Sequence, residues 1–255
     1  MAVIPGNPFK ETLQNGERLI GFWLSTGSPA VTEIAAHSGF DWVLIDMEHA
    51  PNDVAHVLEH LRAVVGGSAS PIVRPPWNDQ IIIKRLLDIG VKTFLIPYVQ
   101  SAEEARAAVA ATRYPPDGVR GIASNSRAND WGRSIGYFGR ANDEICVLVQ
   151  VETQAALGEI EAIAAVDGVD GIFIGPSDLA GDMGFVGQPS HPDVHKAIVD
   201  AGQRIQAAGK PAGFLSARDE DIRLVLDNGF SFVAVGSDTA LLARHSSALA
   251  MNYRE

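Results

Sequence analysis

Cysteine and positive charge are both scarce in this 255-residue chain. One cysteine rules out a disulfide framework within the chain and a cysteine-built zinc site, and Cys146, inside the apolar run ICVLVQVE, reads as core packing. Twenty Lys and Arg against 31 Asp and Glu leave a formal net charge of −11, so neither nucleic acid nor an anionic membrane surface is expected as a partner. A small molecule is the expected ligand. No apolar run reaches the roughly 20 residues that cross a bilayer, and the opening MAVIPGNPFKETL lacks the charged start and continuous apolar stretch of a secretory signal; a cytoplasmic protein is expected. Nor does a GxGxxG follow the first apolar run, which argues against a dinucleotide-binding open sheet.

What the chain has is rhythm. Short apolar runs at Ile20–Leu24, Trp42–Met47, Pro71–Arg74, Thr93–Val99, Cys146–Glu152, Gly171–Gly175, Ala212–Leu215 and Phe232–Gly236 read as strands. Helical patterns follow them, at Pro29–Ser38, Asp53–Val65, Gln80–Ile89, Ala102–Thr112, Ala155–Ala165, Pro192–Ala208, Arg218–Asn228 and Thr239–Met251, several closed by a glycine. Strands this uniformly apolar are buried on both faces. Eight of them alternating with helices predict an α/β fold, a (β/α)8 TIM barrel spanning residues 1–255 as one domain. One segment breaks the rhythm: 114–143, rich in Gly, Asn and Arg, is a long insertion before strand five, either an irregular surface loop or a functional or subunit-contact segment.

In such a barrel the working face is built from the C-terminal ends of the strands. Those ends read Trp23; Asp46 with Glu48 and His49 in FDWVLIDMEHAP; Arg74; Gln150 with Glu152; Ser177 with Asp178 after IFIGP; and Leu215. Each polar member has a plainer alternative, such as Arg74 pairing a surface carboxylate, Glu152 and Asp178 capping helices, or Gln150 satisfying a loop carbonyl. Their recurrence at equivalent ends favours a site. Asp46 three residues before His49 suggests a carboxylate orienting an imidazole for proton transfer. Glu152 and Asp178 converge without an adjacent cation in sequence, and two such carboxylates repel unless a proton or cation is shared. Oxygen-only ligation suits Mg²⁺ or Mn²⁺ and accommodates Co²⁺. Arg74 supplies a fixed cation for a carboxylate or a developing oxyanion. Together these residue types suit enolate chemistry at a 2-oxo acid. The five lysines, Lys10, Lys84, Lys92, Lys196 and Lys210, lie neither within a strand nor at its C-terminal end, so an imine-forming nucleophile is not placed.

The motifs IDMEHAP, RPPWND with IKRLLDIG, RYPPDGVRG, VQVET, DGIFIGPSDLAGDMG and HPDV, in this order from about Gly21 to beyond Gly236, resemble the HpcH/HpaI family of metal-dependent pyruvate aldolases. The resemblance implies reversible retro-aldol cleavage of 4-hydroxy-2-oxo acids to pyruvate and an aldehyde. It implies Glu152 and Asp178 as ligands of a divalent ion (Mg²⁺, Mn²⁺ or Co²⁺). Gln150 would contact the pyruvate carboxylate or the metal's water shell, the backbone around Pro176 and Ser177 would receive the pyruvate carboxylate, and Trp23 and Leu215 would shape the pocket. His49 would be the acid/base oriented by Asp46, and Arg74 would stabilise the enolate. Asp88 would lie near a subunit interface and reach a neighbour's site within a homohexamer, a dimer of trimers whose C-terminal helix packs on a neighbouring subunit. Asp182 departs from the family pattern and bears on aldehyde preference, and no Arg or Lys cluster marks a second substrate carboxylate. The alternative within the same superfamily is a metal-dependent lyase acting on a phosphoenolpyruvate-like or acyl-CoA substrate.

Overall fold

The computed structural model describes residues 6–254. Eight parallel strands, β1 (Leu19–Leu24), β2 (Trp42–Asp46), β3 (Ser70–Arg74), β4 (Thr93–Ile96), β5 (Cys146–Val151), β6 (Gly171–Ile174), β7 (Ala212–Leu215) and β8 (Phe232–Ser237), pair in sequence order and close on one another. The alternation expected from sequence is therefore a closed barrel. Side-chain alternation along each strand divides the core in two. One row, including Val43, Ile45, Val73, Val149 and Ile172, packs against the helices. The other, including Leu19, Trp23, Trp42, Leu44, Ile72, Leu148, Phe173 and Phe232, fills the barrel. Glycine makes the filling possible: a Cβ at Gly21 would strike the Trp42 indole, and one at Gly213 the Phe232 ring.

The first helix, α1 (Pro8–Gln14), was not expected from sequence. Its Phe9 and Leu13 join the barrel-interior cluster, and Phe9 meets Trp42 and Phe232 edge-on at centroid distances of 6.3 and 6.4 Å. Asn7, its N-cap, donates to the Lys92 and Glu144 carbonyls, just ahead of β4 and β5. The helix thus stoppers the N-terminal mouth, leaving the opposite mouth for chemistry.

Around the barrel run α2 (Pro29–Ala36), α3 (Val54–Ala63), α4 (Gln80–Asp88), α5 (Ala102–Thr112), α6 (Tyr137–Glu144), α7 (Gln154–Gly158), α8 (Ile160–Ala164), α9 (Pro176–Asp182), α10 (Pro192–Ala207), α11 (Asp219–Asp227) and α12 (Asp238–Met251). The expected helix over 155–165 is broken at Gly158–Glu159, where glycine costs an interior about 1 kcal/mol. Within the 114–143 insertion a 3₁₀ turn (Arg127–Asn129) and the start of α6 give order where sequence shows no period. Strand β4 stops at Ile96, short of the expected Val99, because Pro97 follows and Tyr98 adopts a left-handed backbone (φ 53°). No helix among the described residues is long and apolar enough to cross a membrane.

Candidate active site

The inward rows of the strands do not end with the core; their last members are polar. On β2 the row Trp42, Leu44 continues to Asp46, on β3 Ile72 continues to Arg74, and on β5 Cys146, Leu148 continues to Gln150. The β2–β3 register sets Asp46 directly beside Arg74. Arg74 Nε donates to Asp46 Oδ1 at 2.9 Å and Nη2 to Oδ2 at 2.7 Å, a bidentate pair with both residues buried. Trp23 Nε1 also donates to Oδ2 at 3.2 Å, and the guanidinium sits 4.9 Å from the Trp23 ring centre. Burial pushes the Asp46 pKa up, but the Arg74 hydrogen bonds and charge, with those from Trp23 and the Glu48 N–H, outweigh it and hold the carboxyl below its ordinary value.

This corrects the expected Asp46–His49 dyad. Asp46 Oδ1 accepts the backbone N–H of Glu48 (3.0 Å) and, more weakly, that of His49 (3.4 Å), but its carboxylate is spent on Arg74, not on the imidazole. The carboxylate that stands near the ring is Glu48, with Oε2 3.9 Å from His49 Nε2. Glu48 also lies 2.8 Å from Arg74 Nη1, close enough for an ion pair but not aligned as a hydrogen bond. Burial lifts the Glu48 carboxyl above its ordinary pKa; Arg74 and His49 oppose this, and Asp46 and Asp178 add to it.

The turn carrying these residues is pinned from behind. Asn52 Nδ2 donates to the Asp46 carbonyl at 2.6 Å, and Asn52 Oδ1 lies 3.1 Å from His60 Nε2. An amide oxygen only accepts, so His60 carries its proton on Nε2 and takes the Thr32 hydroxyl on Nδ1 at 2.6 Å. Burial lowers the His60 pKa, keeping the ring neutral in this role. Nothing in the sequence reading marked Asn52 or His60.

Glu152 follows the end of β5 and is 2% exposed. Its Oε1 accepts the Tyr98 N–H at 2.9 Å, which the left-handed Tyr98 backbone accompanies, and its Oε2 accepts from Gln150 Nε2. Gln150 Oε1 is buried with no donor among the described residues. Burial pushes the Glu152 pKa up to about 7; hydrogen bonds from Gln150 and Tyr98 resist, while the charges of Asp178 and Glu48 add to the rise. Asp178 stands in the first turn of α9, after Gly175, where a Cβ would collide with the Glu152 carboxylate. Two carboxylates and an orphaned amide oxygen make a donor set for a hard, oxygen-preferring divalent cation, whose charge would offset the burial, and the lesser repulsion from Asp178 and Glu48, that raise the Glu152 pKa. Among the described residues no third His, Cys, Asp or Glu completes such a group, so water or ligand oxygens would fill the remaining positions.

Trp23, His49, Arg74, Gln150, Ser177, Asp178 and Leu215 line one cleft of about 510 Å³ at this mouth, and Glu152, not itself on the lining, is hydrogen-bonded to Gln150. The same cleft is walled by Ser216, Ala217, Arg218 and Asp221, none foreseen from sequence. Asp88 is not part of it. It ends α4, where burial raises its carboxyl pKa and Arg120 and Lys84 oppose the rise, and its Oδ1 is buried without a partner among the described residues. Asp182 does not face the cleft either: its carboxylate accepts the Gln154 N–H at 2.8 Å. A second cavity, about 550 Å³, lies between α2 and α12 and is lined mainly by apolar side chains such as Phe22, Ile34, Leu241 and Leu242; it carries no comparable chemistry.

The sequence pattern of the HpcH/HpaI aldolase/citrate lyase family matches residues 19–245. The chain is 52% identical over 248 residues to a 4-hydroxy-2-oxo-heptane-1,7-dioate aldolase of Salmonella paratyphi C, covering 97% of this chain and 94% of the relative. It is 53% identical over 250 residues to a pyruvate aldolase of Rhizobium etli, covering 98% of each. Among solved structures, an HpcH/HpaI aldolase/citrate lyase family protein from Burkholderia cenocepacia superposes with a TM-score of 0.92 at 37% identity, over 98% of this chain and 100% of that one.

Proposed function

Since the chain belongs to the HpcH/HpaI aldolase/citrate lyase family, we propose that it is a class II pyruvate aldolase. It cleaves 4-hydroxy-2-oxo acids reversibly to pyruvate and an aldehyde. The observation that carries this reading is the meeting, at one barrel mouth, of the carboxylates of Glu152 and Asp178 with the buried Arg74 guanidinium and an accessible imidazole, His49. Glu152 and Asp178 would hold Mg²⁺, Mn²⁺ or Co²⁺. When bound there, such an ion supplies Lewis-acid polarisation of the 2-oxo group.

The chain's own groups divide the remaining work. Gln150 and the backbone at Ser177 orient the substrate carboxylate. Arg74 spends Nε and one Nη2 hydrogen on Asp46, pairs Nη1 with Glu48 at 2.8 Å, and from the cleft wall would offer its remaining N–H capacity to the oxygen that becomes an enolate. His49, on the cleft wall with Glu48 as its nearest carboxylate, takes up the C4 hydroxyl proton as the C3–C4 bond breaks and the aldehyde leaves. Proton return to C3 releases pyruvate. Trp23 and Leu215 bound the space open to the substrate. Asp46 acts through Arg74 and through the turn rather than on the imidazole.

His49→Ala is expected to lower the rate of pyruvate release about 10²- to 10⁴-fold while leaving pyruvate affinity within about twofold, read from pyruvate's competitive inhibition of the residual activity. Equal losses in rate and affinity would remove the acid/base role.

The assembly belongs to this reading too: a homohexamer of barrels, a dimer of trimers, acting in the cytoplasm. Support comes from α12, which leaves Leu241 and Leu242 exposed on the apolar groove and Leu249 and Met251 exposed further along, and from exposed Trp131, Ile135 and Phe138 in the insertion. In such an assembly Asp88 would face a neighbour's site. The mass of the purified protein in solution tests it; a monomer removes the role given to Asp88.

A further inference from the structure

One wall of the cleft runs from Leu215, the last residue of β7, through Ser216–Arg218 in the loop that follows, where the Ser216 N–H reaches the Ala234 carbonyl at 3.2 Å. Arg244 Nη2 donates to the Ala217 carbonyl at 3.4 Å, and a buried carboxylate ties the loop to its neighbours. Asp221, in the first turn of α11 and 4% exposed, accepts the hydroxyls of Ser216 and Ser190 on Oδ2, both at 2.9 Å, and lies 3.0 Å from His195 Nε2 through Oδ1. An ionised carboxylate only accepts, so His195 presents Nε2–H to it. Ser216 in turn accepts the Arg218 N–H at 3.1 Å, and Arg218 Nε lies 3.7 Å from Asp221 Oδ2. Three segments thus meet on one side chain: the loop ahead of α10 with Pro189 on the cleft wall, α10 through His195, and the β7–α11 loop. None of these bonds involves Glu152, Asp178, Arg74 or His49, the groups assigned to the pyruvate half.

We infer that Asp221 is a positioning residue for the acceptor-aldehyde side of the cleft, fixing Ser216–Arg218 in place so that the wall is already ordered when the aldehyde arrives. The inference rests on the pyruvate aldolase reading. Its physical content is pre-organisation: without the carboxylate the loop must be ordered during binding, and that cost falls on aldehydes long enough to touch the wall and not on short ones. Asp221 touches no reacting atom; it acts through the loop.

The test measures kcat/KM for condensation of pyruvate with pentanal and with acetaldehyde, in Mn²⁺-supplied protein, alongside deuterium exchange at pyruvate C3 without any aldehyde. Asp221→Ala is expected to reduce the pentanal-to-acetaldehyde ratio roughly tenfold, the worth of one or two hydrogen bonds, with exchange falling much less than pentanal condensation. Asp221→Asn, which keeps an accepting oxygen, should recover most of the ratio. Should Asp221→Ala not fold, Ser216→Ala removes a single bond and is expected to move the ratio the same way by about threefold. With a wild type that exchanges normally, an unchanged ratio in Asp221→Ala, or exchange and both condensations falling in it by one common factor, overturns the inference alone. A wild type that exchanges no deuterium overturns the aldolase reading and this inference with it.

Discussion

Glu152→Ala is expected to reduce pyruvate release from a 4-hydroxy-2-oxo acid at least about a thousandfold, because it removes one of the two proposed metal carboxylates. The same residue gives an opposite result in stability. Its carboxyl titrates at about 7 in the folded chain against an ordinary 4.5, burial being the chief cause. Between those values the folded protein keeps a proton that the unfolded chain has lost, so the contribution of Glu152 to stability falls as pH rises through that window. Above it, the ionised carboxylate costs about 3 kcal/mol. Glu152→Gln removes the charge while retaining an oxygen for the Tyr98 N–H. Chelator-treated Glu152→Gln should therefore unfold at a higher temperature than chelator-treated wild type at pH 8, with the gap closing toward pH 5. Mn²⁺ should stabilise the wild type and not the variant. A gap that is absent at pH 8, or that widens toward acid, would contradict the strained carboxylate that the metal reading needs.

Arg74→Ala is expected to have two separable consequences, one on activity and one on stability. Loss of an electrostatic donor to a developing oxyanion is worth about 10²- to 10³-fold in kcat. Loss of the bidentate partner also strands Asp46, only 1% exposed, at a cost of about 3–5 kcal/mol. Thermal unfolding should register the second and steady-state kinetics the first. Adding Asp46→Ala to Arg74→Ala should restore much of the stability and none of the activity, since a buried charge without its partner is what destabilises. Arg74→Lys should fall between, because an ammonium keeps the charge but cannot match the carboxylate with two parallel bonds. If Arg74→Ala keeps kcat within about threefold, Arg74 holds structure only.

The barrel was legible because its signal is periodic: apolar runs and helices recur eight times, several of the helices closed by a glycine, and a parallel barrel needs little else. The polar strand ends were legible for the same reason, since Asp46, Arg74 and Gln150 fall on the inward row that period two defines. The partner of Asp46 was misread. Closeness in sequence suggested His49, whereas parallel register aligns the ends of β2 and β3 and sets Arg74 alongside. That signal was present in the chain, in two neighbouring strands that end on opposite charges. His49 lies beyond a turn whose amides fold back onto the Asp46 carboxylate, so its ring is carried away from it. Other parts had no periodic signal. Helix α1 is a seven-residue segment opened by Pro8, recognisable only once the barrel mouth it fills exists. The Asn52–His60–Thr32 chain and the bonds converging on Asp221 join residues whose spacing in sequence carries no pattern. Tyr98 contributes a backbone N–H, which no side-chain motif announces.

The most direct test of the central claim is pyruvate release from 4-hydroxy-2-oxo acids by chelator-stripped protein, before and after adding Mg²⁺, Mn²⁺ or Co²⁺. The expected result is loss of activity on stripping and its return with a divalent ion. Full activity in protein shown to be free of metal would contradict a mechanism in which Glu152 and Asp178 serve by holding one.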